Sequence, residues 1–216
     1  MDPQSHQSKP RKRKIRTAKV GTAREAIGEL RKGHEVFILT FGQFSLIDAL
    51  VALLEQTGPA DVDISTWTAA AADLQTAGQL MRSAKIRQFR MVVDRSFINR
   101  QPGYVTTMRE LFGDDCLRTF RSHAKFIVIR NDQWNLVVRT SMNLNENPRL
   151  EDLEISDDAE FADYFTALVD GIFDEVPAGC YSGDMTKLDA VPDSIERTQV
   201  SGVTTVSGLG TASTTP

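Results

Sequence analysis

Two short polar pairs carry the most chemical potential in this chain. His123 and Lys125 sit in Arg121-Ser-His-Ala-Lys-Phe-Ile-Val-Ile-Arg130, and Ser141 and Asn143 sit in Thr140-Ser-Met-Asn143. Residues two apart on a strand point the same way, so each pair shares a face. If the two segments form the arms of one hairpin, an imidazole, an ammonium, a hydroxyl and an amide converge. That set supplies a nucleophile or proton shuttle together with donors for anionic oxygens. Lys125 provides the positive charge that a cation would otherwise bring, so neither a metal nor a cofactor is expected. The other histidines, His6 and His34, have no comparable neighbours. Cys116 and Cys180 are the only cysteines, too few for a disulfide framework and without partners for zinc.

The elements that must position these residues can be read from hydrophobic spacing. Glu35 to Thr40 is a short apolar run suited to a buried strand, between amphipathic helices at about 21–32 and 43–57. Leu46, Ile47, Leu50 and Leu54 share a face of the second helix, and Gly58-Pro59 ends it. A strand around Val62 and Ile64, a helix over 74–81, a strand at 89–93 and a short helix over 105–112 follow. Two strands, about 118–130 and 134–141, flank the polar turn Asn131-Asp-Gln133 and read as a hairpin. Phe161, Tyr164, Phe165, Leu168, Val169, Ile172 and Phe173 mark a helix. The pattern predicts an α/β fold, a mixed β-sheet flanked by helices in a single domain.

Charge divides the chain further. Residues 1–19 carry seven basic side chains against Asp2, a net +6, which leaves the remainder at -10 beneath an overall -4. Residues 1–18 are expected to be a disordered basic arm, residues 19–178 the folded body, and residues 179–216 a disordered Ser/Thr/Gly-rich tail. Lys9, Arg11, Lys12, Arg13, Lys14 and Arg16 would bind nucleic acid through phosphate contacts. The polar, basic N-terminus is unlike a signal peptide and no apolar run is long enough for a bilayer, so a cytoplasmic protein is expected. Trp67 and Trp134 read as packing or sheet-edge residues before base-stacking platforms, and Arg95, Arg100 and Arg139 as solvated charge before the lining of a nucleic-acid path near strand ends. Gly42 follows the first strand without the further glycines of a dinucleotide or phosphate loop.

His-Ala-Lys, an apolar strand, a turn with Asp132, a second strand and Ser-Met-Asn together resemble the HxK…D…GSxN motif of the phospholipase D superfamily. The resemblance spans residues 20–175 and implies a phospholipase-D-like fold. Glu151 matches the glutamate that orients a histidine in that family, with Glu154 as its alternate. Three departures stand out. The family aspartate falls at Arg130 here, Thr140 replaces the glycine, and the hairpin is three residues longer. Asp132 is therefore expected in the turn, and Thr140 is expected to crowd a phosphate.

A single motif without an internal repeat is similar to the nuclease-like branch, in which two identical subunits share one site. The resemblance then implies a homodimeric, metal-independent phosphodiesterase acting on nucleic acid, DNA before RNA, through a phosphohistidine at His123. Lys125, Ser141 and Asn143 would hold the phosphate. Two other readings stand beside it. One is a nucleic-acid-binding or assembly module that has lost the chemistry; the other is a phospholipase.

Overall fold

A computed structural model describes residues 11–19, 21–144 and 148–179. Lys9, the rest of residues 1–10 and the tail from residue 180 lie outside the described residues. The described chain builds one eight-stranded sheet in the order β1-β2-β8-β7-β6-β3-β4-β5. Its strands are β1 (Lys12–Ala18), β2 (His34–Thr40), β3 (Ala60–Thr66), β4 (Ile86–Asp94), β5 (Leu117–Phe120), β6 (Phe126–Arg130), β7 (Asn135–Thr140) and β8 (Glu151–Asp157). The helices are α1 (Ala23–Ile27), α2 (Leu46–Thr57), α3 (Ala71–Arg82), α4 (Arg95–Arg100), α5 (Pro102–Phe112) and α6 (Ala159–Glu175). None of the described helices is long and apolar enough to cross a membrane.

The sheet is mixed, as the alternation of strand and helix patterns predicts. β1 runs parallel to β2, and β3, β4 and β5 run parallel to one another. β6 and β8 oppose their neighbours. The carboxyl ends of β1, β2, β3, β4, β5 and β7 therefore share one edge with the amino ends of β6 and β8. Mixed and parallel sheets place ligands at such an edge, where loops diverge and backbone groups are left free.

One face of the sheet carries the main core. Ile38, Ile64, Met91, Leu117, Ile127 and Leu153 are fully or almost fully buried there, against Ile27, Leu50 and Leu53 of α1 and α2. On the other face α6 brings buried Ala162, Val169 and Ile172 towards the sheet, where Val128 and Val137 are buried. Helix starts follow local chemistry. Ser45 caps α2, accepting from the Asp48 N–H while the Asp48 carboxylate accepts the Ser45 N–H at 2.8 Å.

Three differences from the sequence reading have physical causes. First, residues 12–18 are not part of a disordered arm; they form edge strand β1. The basic residues of β1 and the one before it meet the acidic sheet: Arg11 pairs with Asp158 at 2.6 Å, and Arg13 with Glu35 at 2.8 Å and Glu154 at 3.6 Å. The charge asymmetry is thus partly neutralised inside the fold.

Second, the helix expected at 21–32 stops at Ile27. Gly28 closes it with φ 66°, and Arg16 reaches the carbonyl of Ala26 at 3.1 Å, covering the end of the helix. That left-handed φ is what favours glycine, and a Cβ there, 2.6 Å from Arg16 Nη1, would also displace the guanidinium. Third, residues 118–130 are two strands rather than one. β5 pairs with β4 at the sheet edge, whereas β6 lies between β3 and β7.

Candidate active site

His123 and Lys125 are not on a strand. They occupy the 121–125 segment that crosses from β5 to β6 at the shared edge, so strand alternation does not align them. Hydrogen bonds do. The Asp94 carboxylate, at the end of β4, accepts the Ser122 N–H at 3.2 Å. The Ser122 hydroxyl accepts the Ala124 N–H at 3.2 Å, and Ser65, near the end of β3, donates to the Ala124 carbonyl at 2.9 Å. Two anchors from neighbouring strands and one bond within it thus hold the segment. Its two functional side chains meet: Lys125 Nζ lies 3.2 Å from His123 Nδ1 and donates to the His123 carbonyl at 2.8 Å.

Thr140 and Ser141 arrive from the other arm. The β6–β7 register ends with Phe126 opposite Arg139, and the Thr140 N–H then donates to the Lys125 carbonyl at 3.3 Å. This contact brings the Ser141 segment to Lys125, and both residues line an open cleft of about 390 Å³ beside Thr140, Asp152 and Phe165. Ser141 donates to the Glu151 carboxylate in a short contact and accepts the Asp152 N–H at 3.0 Å. The Glu151 carboxylate therefore lies on the serine rather than on the imidazole. Glu154 pairs with Arg139 at 2.6 Å and with Arg13.

Asn143 lies beyond the end of β7. The next residue, Leu144, docks on the loop after β3: its N–H donates to the Thr68 carbonyl at 3.2 Å, and its carbonyl accepts the Ala70 N–H at 2.7 Å. The Asn143 Oδ1 is buried without a hydrogen-bond partner among the described residues. Thr140 does not direct its hydroxyl at a phosphate. It donates to the Asp152 carbonyl and accepts the Met142 N–H at 2.9 Å. Asp132 lies in the β6–β7 turn, as expected.

The electrostatics centre on Lys125. Burial pushes its ammonium below the usual lysine range, while the carboxylates of Glu151 and Asp94 pull in the opposite direction. An amine so placed still binds an anion as a cation at neutral pH, but it loses its proton earlier on the alkaline side. If the ammonium holds substrate, kcat/KM must fall as pH rises through this lowered value. Asp94→Asn removes one of the two supporting carboxylates, so the alkaline limb of the pH–rate profile is expected to move further down. A limb that stays in place or moves up would contradict this role for Asp94.

Asp94 and Ser65 carry little local signal for this role, since both lie at or near the ends of strands and resemble ordinary strand termini. The usable signal was an acid closing the buried run Met91-Val-Val-Asp94. Trp67 does more than the packing expected of it. It follows β3, and its ring centroid lies 5.5 Å from that of His123.

Of the basic residues assigned to nucleic acid, Arg11, Arg13 and Arg16 are held within the fold, as described above. Lys12 and Lys14 of β1 make no ion pair among the described residues.

Comparisons with known proteins can be set against this geometry. No family model matches the sequence, and no curated protein matches it. Among solved structures, the chain is similar to a phospholipase D family member. That structure, Nuc from Salmonella typhimurium, is 15% identical, with 60% of this chain and 90% of that chain covered and a TM-score of 0.46. NucT from Helicobacter pylori is 16% identical over 67% of this chain and 99% of that one, with a TM-score of 0.46. Polyphosphate kinase from Porphyromonas gingivalis is 14% identical over 68% of this chain and 27% of that one, at 0.47.

Proposed function

We propose that this protein is a phosphodiesterase of the phospholipase D type that cleaves nucleic acid, DNA before RNA, at a site completed by a second copy of the chain. The observation that carries the reading is the 3.2 Å approach of Lys125 Nζ to His123 Nδ1, at the strand edge where Thr140 closes on Lys125. A cation beside an imidazole, with a serine hydroxyl on the same cleft, can bind a phosphodiester and attack it.

The chemistry needs both a nucleophile and an acid. His34 begins β2, at the opposite edge of the sheet, so His123 is the one histidine among the described residues at the site. An isologous dimer supplies the second by symmetry. Substrate draws the Lys125 ammonium to a phosphate oxygen, which frees Nδ1 to carry the ring proton and leaves the Nε2 lone pair as nucleophile. Nε2 attacks phosphorus; the P–N bond forms and the P–O bond to the leaving nucleotide breaks. His123 of the second copy donates its proton to the departing oxygen. It then takes a proton from water, whose oxygen attacks phosphorus and breaks the P–N bond. Lys125, Ser141 and Asn143 hold the non-bridging oxygens, and Glu151 positions Ser141.

Contacts to phosphates remote from the scissile one fall to Lys12 and Lys14, since Lys12 pairs with His34 at the edge of the sheet away from the site. The pair Lys12→Ala/Lys14→Ala is expected to lower the slope of log affinity against log salt by up to about 1.4 for single strands. Fluorescence anisotropy at several salt concentrations measures it, and an unchanged slope would remove β1 from the binding surface.

A second reading has its own observation. The Ser141 hydroxyl is committed to Glu151 and the Asn143 Oδ1 is buried, which suits a binding or assembly module without chemistry. Incubation of plasmid and single-stranded DNA with the protein in EDTA separates the two readings. Cleavage supports the phosphodiesterase, whereas binding without cleavage supports the module.

A further inference from the structure

Three side chains cluster at the His123–Lys125 pair. His123, Trp67 and Arg100 come from the β5–β6 crossing, the β3–α3 loop and the end of α4. The Arg100 guanidinium carbon lies 4.0 Å from the Trp67 ring centroid, with the His123 imidazole 5.5 Å from the same indole. An imidazole proposed to attack phosphorus and a planar cation thus share one aromatic neighbour.

The polar edge of Arg100 is partly engaged. Its Nε donates to the Ser96 carbonyl at 3.2 Å and its Nη2 to the Ser96 hydroxyl at 3.4 Å. Ser96 is itself held by Asp94, whose carboxylate accepts the Ser96 N–H at 2.9 Å. The same carboxylate anchors the His123 segment, so guanidinium and imidazole are tied to one fixed group. Arg100 remains exposed. The guanidinium carbon sits close over the indole, two of its nitrogens are on Ser96, and the residue is exposed to solvent. A flat cation backed by an aromatic ring is a stacking surface; a phosphate clamp would keep its N–H fork free.

From this geometry we infer that Trp67 and Arg100 form a nucleobase subsite next to the scissile phosphate, and that the substrate is single-stranded there. This rests on the nucleic-acid reading of the His123 site and names its substrate class. Bases in a duplex have their faces covered by their neighbours; only an unpaired, unstacked base can offer a face to Arg100. Trp67 stiffens the platform, and Asp94 fixes its distance from His123.

The chain has two tryptophans, so a Trp134→Phe variant leaves Trp67 as the only tryptophan reporter. Its fluorescence is titrated with a thymidine oligonucleotide, an abasic oligonucleotide of equal length, and a blunt-ended duplex. The thymidine oligonucleotide is expected to perturb Trp67 and to bind about tenfold more tightly than either of the others. Arg100→Lys keeps the charge and removes the plane, so it is expected to erase the preference for based over abasic strands. Trp67→Leu, followed by anisotropy with a labelled strand, is expected to do the same.

Equal affinity for based and abasic strands, or for single strand and duplex, would overturn the subsite while leaving the nucleic-acid reading intact. No binding to any of the three polymers would overturn both. A preference that survives Arg100→Lys and Trp67→Leu would place base recognition elsewhere.

Discussion

His123→Ala is expected to reduce hydrolysis of a phosphodiester in EDTA by at least about 10⁴-fold, while binding of single-stranded DNA stays within a few fold. The size of the loss follows from the double duty of the residue. In the proposed cycle one His123 is the nucleophile and its counterpart in the second copy is the acid and then the base, so the substitution removes both from a symmetric site. Binding survives because Lys125, Ser141 and the β1 lysines carry the phosphate contacts. His123→Asn is a useful companion variant, since it keeps a polar group near Lys125 without a ring nitrogen to attack. Equal loss in the two variants points to chemistry. Activity retained in either would place the nucleophile elsewhere.

The second large effect is on stability. Arg90→Ala is expected to destabilise the fold by about 3 kcal/mol, measured by urea denaturation. Arg90 joins three elements. From β4 it grips the β3 residue Asp63 with two parallel hydrogen bonds of 2.7 and 2.8 Å, and it also pairs with Asp170 of α6. The Phe173 ring of the same helix lies 5.4 Å from its guanidinium carbon. Asp63 is only 8% exposed, so removing the guanidinium strands a buried carboxylate. Most of the loss comes from that stranded charge rather than from the missing attraction. The double variant Arg90→Met/Asp63→Leu is accordingly expected to recover most of the stability. If the double variant is as unstable as Arg90→Ala alone, the cause is packing of α6 and not the buried charge.

The parts of the fold visible in the sequence were those specified by strong periodicity. Helix α6 reads from its seven apolar residues alone, and α2 from its stripe and its glycine stop. β2, β3 and β4 read as short apolar runs because they lie in the middle of the sheet or against its core. β1 and β8 escaped notice for the same reason as each other: they are charged, and their stability is relational. Lys12-Arg-Lys-Ile-Arg-Thr-Ala18 looks like an arm until the acids of β2, β8 and the start of α6 are seen beside it. Glu151-Asp-Leu-Glu-Ile-Ser-Asp157 has alternating Leu153 and Ile155, a signal obscured by reading Glu151 only as a site residue.

The site shows the same division. The sequence placed His123, Lys125 and Ser141 together for a reason that proved incorrect in detail. Alternation on one long strand does not align the first two; Asp94 and Ser65 do, through hydrogen bonds from β4 and β3. Such long-range anchors have no local signature. Thr140 illustrates the converse. From sequence it should obstruct the phosphate, yet its hydroxyl finds backbone partners on β8 and in its own turn.

The proposed covalent bond between phosphorus and His123 can be trapped chemically. Protein mixed with excess oligonucleotide, quenched within milliseconds in alkaline denaturant and digested, can be mapped by mass spectrometry. A nucleotide adduct on the His123 peptide, formed and lost at rates compatible with turnover and absent from His123→Ala, is the predicted result. Turnover without an adduct at any time, or an adduct on another residue, would contradict the phosphohistidine mechanism.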